Sequence, residues 1–365
     1  MNRVKEGRGA RIDLRNLTRI YGDVVAVDDV SLGIQGGEFL TLLGPSGSGK
    51  TTTLRMIAGF EAPTAGDILI DGSSIVATMP NERNIGMVFQ NYALFPHMTV
   101  FKNIAFPLEM RRGKRGTISE KVAEVLELVR LPGYEGRYPR QLSGGQQQRT
   151  ALARALVFNP QVLLMDEPLG ALDRKLREGL QLEIKHLQQQ LRITVIYVTH
   201  DQEEALVMSD RIAVINQGRI EQLGTPKEIY EQPRSRFVAG FVGETNLLKG
   251  EVHEAGPSRS IVRVGRGVHV LIESVDGLER GMDVELTIRP ASIRFLPAGE
   301  ELANCYDGVV EEVVYVGETM KYLVRLNDEV SLYIKQVGAV DAEVRSRGAR
   351  VRIGWSPADG KAIWG

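Results

Sequence analysis

The sequence predicts an α/β domain of nucleotide-binding size that is followed by a small all-β domain. Between residues 11 and 242, short apolar runs alternate with amphipathic segments and glycine-rich turns, a pattern typical of a sheet covered by helices. From residue 243 to 365, short alternating segments are separated by frequent glycines, which indicates the antiparallel strands of a small barrel. A length of 365 residues is sufficient for two or three domains with buried cores.

Uninterrupted apolar runs predict three core strands of the first domain, at residues 39–43, 162–165 and 194–198. Such runs are typical of parallel strands that are buried on both faces. Leucines and isoleucine repeat near helical spacing from residue 172 to 191, which predicts a helix between the second and third strands. Helical signals dominate from about residue 95 to 155, so we expect an inserted helical subdomain there.

Local patterns also predict one helix of that subdomain and one hairpin of the β domain. An amphipathic run at residues 118–130 indicates the helix. Residues 309–316 and 321–326 flank a glycine turn at Gly317, as two antiparallel strands do, and residues 331–335 follow as another strand.

Composition and charge exclude several classes of function. Lysine and arginine number 45 against 46 for aspartate and glutamate, so the formal net charge is -1 and we expect no nucleic-acid partner. No uncharged apolar run approaches the ~18 to 20 residues that cross a bilayer, so a membrane role requires a partner. The single cysteine, Cys305, cannot form an intrachain disulfide, and the chain opens with charged residues, which favours a reducing cytoplasm.

The string GPSGSGKT, at residues 44 to 51, fits the phosphate-binding loop pattern. Glycines let the backbone curl so that successive amide groups point at phosphate oxygens. Lys50 adds a positive charge near the β- and γ-phosphates of a nucleotide, and Thr51 can bind Mg²⁺. An ordinary glycine-rich turn is the alternative. The residues expected to hold ATP in this way are Gly44, Pro45, Ser46, Gly47, Ser48, Gly49, Lys50, Thr51 and Thr52.

A pair of acidic residues, Asp166 and Glu167, directly follows the apolar run at residues 162–165. A phosphate-loop protein needs a second Mg²⁺ partner at this end of a strand, so we expect Asp166 to bind the metal directly or through water. Glu167 lies one residue closer to solvent and can accept a proton from the water that attacks the γ-phosphate. The alternative is an acidic pair at a helix start, before Pro168.

The string LSGGQQQR, at residues 142 to 149, places a serine and two glycines at the predicted start of a helix. Exposed amide groups, the helix dipole and the Ser143 hydroxyl can together bind a phosphate there, although the same residues also suit a simple helix cap. Together with the two strings described above, this one resembles the signature of the ATP-binding cassette (ABC) family. The resemblance covers residues 11 to 240.

The resemblance implies roles for further residues. Tyr21 is similar to the aromatic residue that stacks on adenine, and Gln90 to the glutamine that contacts Mg²⁺ and the attacking water. His200 is similar to the histidine that contacts the γ-phosphate, and residues 169–173 to the loop that crosses to a second cassette. Without the resemblance, Tyr21 would be a strand tyrosine with a core role and His200 a structural histidine. The implied catalytic residues are Glu167, His200, Lys50 and Gln90, and the implied Mg²⁺ ligands are Thr51, Gln90 and Asp166.

Only one phosphate loop and one signature string occur in the sequence. In the family that the chain resembles, each ATP lies between the phosphate loop of one cassette and the signature string of another. The resemblance therefore implies a dimer of identical chains around two ATP molecules. The residues expected to reach the partner's nucleotide are Ser143, Gly144, Gly145, Gln146 and Asp173.

Two further segments resemble importers of this family. Residues 92–100 are similar to the surface that receives a coupling helix from a membrane permease, although a hydrophobic turn packed on the helical subdomain has the same pattern. Residues 243–365 are similar to the accessory β-barrel called TOBE, and the strings at 243–246 and 307–317 look closest to the polyamine (spermidine/putrescine) branch. The implied partners are two permease subunits and, indirectly, a solute-binding protein. The implied location is the cytoplasmic face of the cell (inner) membrane.

Three alternatives remain on the sequence alone. The transported solute can be a sugar, iron or phosphonate with the same mechanism. A cassette protein without a permease can use its nucleotide-driven dimer as a mechanical or regulatory clamp. A nucleotide-binding regulator of transcription or metabolism would use the β domain but leave the signature string without a role.

Overall fold

The computed structural model describes residues 9–111, 114–170, 172–297, 299–338 and 344–364. The chain forms two compact units, Met1–Ile229 and Tyr230–Gly365. The first combines helices with strands, and the second consists largely of strands, as the sequence predicts.

Strands and helices alternate along the first unit. The strands are β1 (Ile12–Tyr21), β2 (Val24–Ile34), β3 (Phe39–Leu43), β4 (Ala65–Ile70), β5 (Ser73–Ser74), β6 (Ile85–Val88), β7 (Val162–Asp166), β8 (Thr194–Thr199), β9 (Arg211–Asn216) and β10 (Arg219–Gly224). The helices are α1 (Lys50–Ala58), α2 (Val100–Met110), α3 (Arg115–Leu128), α4 (Gly144–Leu156), α5 (Arg174–Leu191) and α6 (Gln202–Met208), and α7 (Pro226–Glu231) follows β10.

The central sheet of this unit brings three strand ends together. Its strand order is β10-β9-β3-β8-β7-β6, and all neighbours are parallel except β10 and β9. Strands β3, β7 and β8 are buried along their whole length, which confirms the prediction from the three apolar runs. Leu43 pairs with Thr199 and Asp166 with Val198, so the carboxyl ends of these strands meet at one edge.

Hydrophobic cores lie on both faces of the central sheet. On one face, Leu40 and Leu42 of β3 pack with α1 and with a four-stranded antiparallel sheet of order β2-β1-β4-β5. On the other face, Phe39 and Tyr197 pack with residues from helices α2 to α5. The alternation of side chains along β3 explains how one strand serves both cores.

Two helices begin at other residues than the apolar pattern indicates. Helix α5 begins at Arg174, because the Asp173 side chain caps it by accepting a hydrogen bond from the Leu176 amide at 3.0 Å. Helix α3 begins at Arg115, earlier than the apolar run. Gly116 and Thr117 are exposed, so they add nothing to the apolar pattern from which the start is predicted. It ends before Arg130, which has a left-handed φ of 58°.

Antiparallel strands form two five-stranded sheets in the second unit. The strands are β11 (Asn246–Ala255), β12 (Arg259–Val264), β13 (Val268–Glu273), β14 (Asp283–Ile288), β15 (Arg294–Phe295), β16 (Asn304–Val316), β17 (Thr319–Arg325), β18 (Ser331–Val337), β19 (Arg350–Trp355) and β20 (Gly360–Ile363), and helix α8 (Arg236–Phe241) precedes them. The sheet orders are β13-β12-β11-β14-β20 and β15-β19-β16-β17-β18, around one shared core. The hairpin at Gly317 is confirmed. No helix in the described part of either unit combines the length and apolarity that crossing a bilayer requires.

The second unit begins earlier than the expected domain boundary between residues 242 and 243. Arg289, at the end of β14, gives a physical reason. Its guanidinium donates hydrogen bonds to the carbonyl oxygens of Tyr230 at 2.6 Å, Glu244 at 3.2 Å and Ala239 at 3.3 Å. One partly buried cation thus fastens residues 230–244 to the β unit, a contact that the sequence does not reveal.

Candidate nucleotide-binding and hydrolysis site

The phosphate loop turns tightly between β3 and α1. Gly44 is packed so closely that a Cβ atom there would collide with the carbonyl oxygen of Ile215. Gly49 has a φ of 102° and lies against the carbonyl oxygen of Ala26, so its backbone conformation and its surroundings both require glycine. Helix α1 then begins at Lys50, and the amide groups of its first turn are available to an anion.

Lys50 is buried within the phosphate loop. Its Nζ donates hydrogen bonds of 2.8 Å to the carbonyl oxygens of Gly44 and Pro45, and the residue is 4% exposed. Burial lowers the pKa of Lys50, whereas the negative charges of Glu167 and Asp166 raise it. A phosphate oxygen beside the loop would give this cation the anionic partner that best compensates its loss of water.

Thr51 and Asp166 bring two oxygen ligands together beside the loop. The Thr51 hydroxyl donates a hydrogen bond of 2.9 Å to Oδ1 of Asp166, which ends β7 and is 8% exposed. Burial raises the pKa of Asp166, the Thr51 hydrogen bond lowers it, and the charge of Glu167 raises it. A hydroxyl and a carboxylate are the hard oxygen ligands that Mg²⁺ prefers, so this pair fits the metal that a phosphate-loop protein uses.

Glu167 lies between Gln90 and His200. Gln90 Nε2 donates a hydrogen bond of 3.2 Å to one carboxylate oxygen of Glu167, and His200 Nδ1 lies 3.2 Å from the other. The backbone of Glu167 has a left-handed φ of 44°, and its amide donates to the carbonyl oxygen of Val198 at 3.0 Å. Backbone strain of this kind is concentrated at functional sites, where surrounding contacts hold it.

Arg177 connects the two loops that contain Asp173 and His200. From the first turns of α5, it donates hydrogen bonds to Oδ2 of Asp201 at 2.8 Å and to the carbonyl oxygen of Leu172 at 3.1 Å. The sequence does not reveal this residue, because Asp201 lies on a distant loop whose proximity depends on the strand order.

The signature string forms the capped start of α4. The Ser143 hydroxyl accepts from the Gln146 amide at 3.4 Å, and the Gln146 side chain accepts from the Ser143 amide at 3.0 Å. Cβ atoms at Gly144 and Gly145 would lie 3.0 Å from Leu172 and 3.1 Å from Leu176, respectively. The string therefore caps α4, which is the alternative interpretation of the sequence. Ser143 and Gly144 are also exposed to solvent, so the cap leaves them accessible to a phosphate.

Tyr21 lies at the exposed end of β1 and is 41% exposed. Its ring lies 4.5 Å from the guanidinium carbon of Arg19, and the exposed valines Val24 and Val25 follow on β2. The alternative that Tyr21 is a core residue is therefore wrong, because the residue is exposed to solvent.

The structure connects some of the predicted residues and leaves others apart. Within the described residues, hydrogen-bond distances connect Thr51 with Asp166, and Glu167 with Gln90 and His200. The described contacts of Tyr21 and of Asp173 are local to their own segments, and the signature string contacts α5 and Tyr134 rather than the phosphate loop. Ala171, in the loop at residues 169–173, lies outside the described residues. The other predicted phosphate-loop positions lie between β3 and the first turn of α1, namely Pro45, Ser46, Gly47, Ser48 and Thr52.

Family models match both units of the chain. The model described as "ABC transporter" matches residues 27–170, and the model described as "TOBE domain" matches residues 286–363. The first match includes the phosphate loop, the signature string and the acidic pair, and the second lies within the β unit.

Known relatives extend over nearly the whole chain. A protein of Rubrobacter xylanophilus named "Spermidine/putrescine import ATP-binding protein PotA" is 49% identical over 353 residues, which cover 96% of this chain and 93% of the relative. A protein of the same name from Thermotoga maritima is 44% identical and covers 96% of this chain and 97% of its own length.

Solved structures of an ABC transporter cassette match more than half of the chain. The dimeric structure of MJ0796, a bacterial ABC transporter cassette, has a TM-score of 0.53 and 36% identity, and the match covers 59% of this chain and 98% of that one. A post-hydrolysis state of the same cassette, bound to ADP and Pi, matches with the same TM-score and coverage at 35% identity. The resemblance seen in the sequence is thus confirmed, and the chain belongs to the ABC transporter family, among the ATP-binding proteins that combine a cassette with a TOBE domain.

Proposed function

We propose that the chain is the ATP-hydrolysing subunit of an ABC importer and that its solute is a polyamine. The observation that supports the chemistry most directly is the position of Glu167, at 3.2 Å from both Gln90 and His200 and one residue after Asp166. A carboxylate in this arrangement can accept a proton from water beside a bound γ-phosphate.

ATP binding is assigned to the phosphate loop and to Tyr21. The backbone amides at the start of α1 bind the phosphates, and the Lys50 ammonium exchanges its loop carbonyl partners for phosphate oxygens. Tyr21 offers an exposed ring on which adenine can stack. Thr51, Gln90 and Asp166 are the proposed holders of Mg²⁺, Asp166 directly or through water. When bound, that metal neutralises charge on the β- and γ-phosphates.

Hydrolysis requires four groups around the γ-phosphate. Glu167 accepts the proton of the attacking water. Gln90 donates a hydrogen bond to Glu167 and orients both the Glu167 carboxylate and the water. His200 holds the γ-phosphate, and Lys50 stabilises the charge that develops on it. General-base catalysis of this kind contributes roughly 10²- to 10⁴-fold to a rate.

Two chains are proposed to enclose two ATP molecules. The chain contains one signature string, and its exposed serine and glycine cannot serve as a second phosphate site unless another chain presents a nucleotide to them. The dimeric cassette structure that is 36% identical supports this arrangement. The residues that act on the partner's nucleotide are Ser143, Gly144, Gly145, Gln146 and Asp173.

The proposals that the chain serves import and that the solute is a polyamine rest on the names of its relatives. Proteins 44% to 49% identical over nearly the full length are named as spermidine/putrescine import ATP-binding proteins. We assign residues 11–242 to the cassette, with a helical subdomain at about 95–155, and residues 243–365 to the accessory TOBE domain. The partners are two permease subunits, which residues 92–100 contact, and a solute-binding protein that acts through them. This assembly places the chain at the cytoplasmic face of the membrane.

Purification of the tagged chain from detergent-solubilised native membranes tests the assembly. We expect two permease subunits to co-purify and mass spectrometry to identify them as relatives of polyamine permeases. Permeases related to sugar, iron or phosphonate systems would keep the mechanism and contradict the solute. If no membrane protein co-purifies while the purified chain hydrolyses ATP, the importer assignment is wrong, and a nucleotide-driven clamp without a permease replaces it.

A further inference from the structure

We infer that Arg154 is a positioning residue that holds the loop after Gln90 and thereby aims the Gln90 side chain at Glu167. The inference rests on the proposed role of Gln90 in hydrolysis. Arg154 lies in the last turn of α4, the helix that begins at the signature string. Gln90 lies just after β6, and the loop that follows it contains Tyr92 and Ala93, which Arg154 contacts.

The backbone at Tyr92 and Ala93 needs support. Their φ angles are 58° and 48°, which places two consecutive non-glycine residues in the left-handed region. That conformation is unfavourable for L-residues and persists where surrounding contacts hold it. Arg154 provides such contacts, because its Nη1 donates to the Ala93 carbonyl oxygen and its Nη2 to the Tyr92 carbonyl oxygen, each at 2.7 Å. One guanidinium therefore holds both carbonyls of the strained turn.

The surroundings of Arg154 fix its orientation. Its guanidinium carbon lies 5.5 Å from the ring centroid of Phe95, within the range of a cation–π contact. Phe95 is itself held by the fully buried Asn103, whose Oδ1 accepts from the Phe95 amide at 2.8 Å and whose Nδ2 donates to the Phe95 carbonyl at 3.1 Å. Lysine has no planar fork and cannot donate to two carbonyls in the same geometry.

The loop is also fixed at its other end, where β6 leads into Gln90. A Cβ atom at Gly86 in β6 would lie 2.5 Å from the carbonyl oxygen of Ala155, so the last turn of α4 packs directly on this strand. Tyr92 is 7% exposed and belongs to the core that contains residues from α2 to α5. Gln90 thus lies between a strand and a turn that both contact the end of α4. A loss of the Arg154 contacts releases only the turn.

The test measures the steady-state ATPase activity of the purified full-length chain. We expect Arg154→Lys to lower kcat on the order of ten-fold, because small displacements of a positioned group have effects of this size or larger, and to leave KM for ATP unchanged. The matched control is Arg289→Lys. Arg289 also donates to several backbone carbonyl oxygens, those of Tyr230, Ala239 and Glu244, but it makes no contact with the loop after Gln90 among the described residues. We expect the control to retain kcat.

A double-mutant cycle separates positioning from general damage. If Arg154 acts through Gln90, Arg154→Lys lowers kcat no further in a Gln90→Ala background. Equal losses in both backgrounds, a change confined to KM, or the same loss in Arg289→Lys would each overturn the inference. If Gln90→Ala alone retains wild-type kcat, the proposed role of Gln90 fails first.

A second variant keeps the test valid if Arg154→Lys folds poorly. Ala93→Gly removes the penalty for a left-handed backbone at an exposed position, so it folds without the full support of Arg154. We expect Ala93→Gly to restore part of the kcat that Arg154→Lys loses. No restoration in a variant pair that is folded by circular dichroism would contradict the inference.

Discussion

Replacement of Glu167 by glutamine separates ATP binding from hydrolysis. Glutamine has nearly the same shape and keeps an oxygen that can accept from Gln90 Nε2, so the contact of 3.2 Å can persist. What is lost is the capacity to take a proton from water, which is worth roughly 10²- to 10⁴-fold in rate. At ~1.36 kcal/mol for each tenfold change, the barrier rises by about 2.7 to 5.4 kcal/mol.

The same substitution favours the ATP-bound dimer. The charge of Glu167 raises the pKa of the neighbouring Asp166, a sign of repulsion between the two carboxylates, and it also opposes the γ-phosphate of a bound nucleotide. Its removal lowers that repulsion and leaves the Lys50 ammonium in place to bind the phosphates. We therefore expect Glu167→Gln to bind ATP and to elute as a dimer with MgATP.

Phosphate release in single-turnover experiments and size-exclusion chromatography with MgATP measure both effects. Glu178→Gln is the matched control, because Glu178 is an exposed residue on α5 that pairs only with Arg174 at 3.0 Å among the described residues. We expect this control to behave as wild type. Wild-type turnover in Glu167→Gln, or a loss of ATP binding in that variant, would refute the assignment of Glu167 as the base.

Three further predictions concern neighbouring groups. Lys50→Ala should abolish nucleotide binding in a fluorescence titration, because it removes the cation inside the loop; unchanged affinity would contradict the phosphate-binding assignment. Burial raises the pKa of Asp166 on folding, so its ionised form costs stability at neutral pH and this cost disappears as the pH falls through the raised pKa. Asp166→Asn should therefore raise the Tm of the nucleotide-free chain at pH 7 and abolish Mg²⁺-dependent turnover, and a lower Tm would show that the sign is wrong. Arg177→Ala should lower the free energy of unfolding by about 1.5 to 3 kcal/mol, as expected for hydrogen bonds to a charged group, and should also lower kcat. Stability equal to wild type in urea would contradict the inference that Arg177 holds the two loops together.

The sequence predicts the residues at the carboxyl ends of strands better than any other part of the site. Apolar runs identify β3, β7 and β8, and residues that follow such runs are expected to meet at one edge of a parallel sheet. The distance between Glu167 and His200 agrees with that expectation, whereas Gln90 is identified only by the family resemblance. The phosphate loop could be predicted without tertiary structure, because its glycines and Lys50 lie within one short stretch of the chain.

Contacts between distant elements could not be predicted, because they depend on strand order and helix packing. The two carbonyls held by Arg154 belong to a loop about sixty residues earlier in the chain. His253 and His269 lack metal-ligand spacing in the sequence, yet strand β12 brings their rings to 5.2 Å between centroids. Sequence spacing alone therefore predicts groups of residues that are close in the chain and misses groups that the pairing of strands brings together.

Uptake of labelled polyamine tests the central claim most directly. Cells of the source organism that lack the chromosomal copy would receive either the wild-type chain or Glu167→Gln, and uptake of radiolabelled spermidine and putrescine would be compared with uptake of a labelled sugar. We expect the variant to lose polyamine uptake and to keep sugar uptake. Equal polyamine uptake with both chains would contradict the assignment of this ATPase to polyamine import.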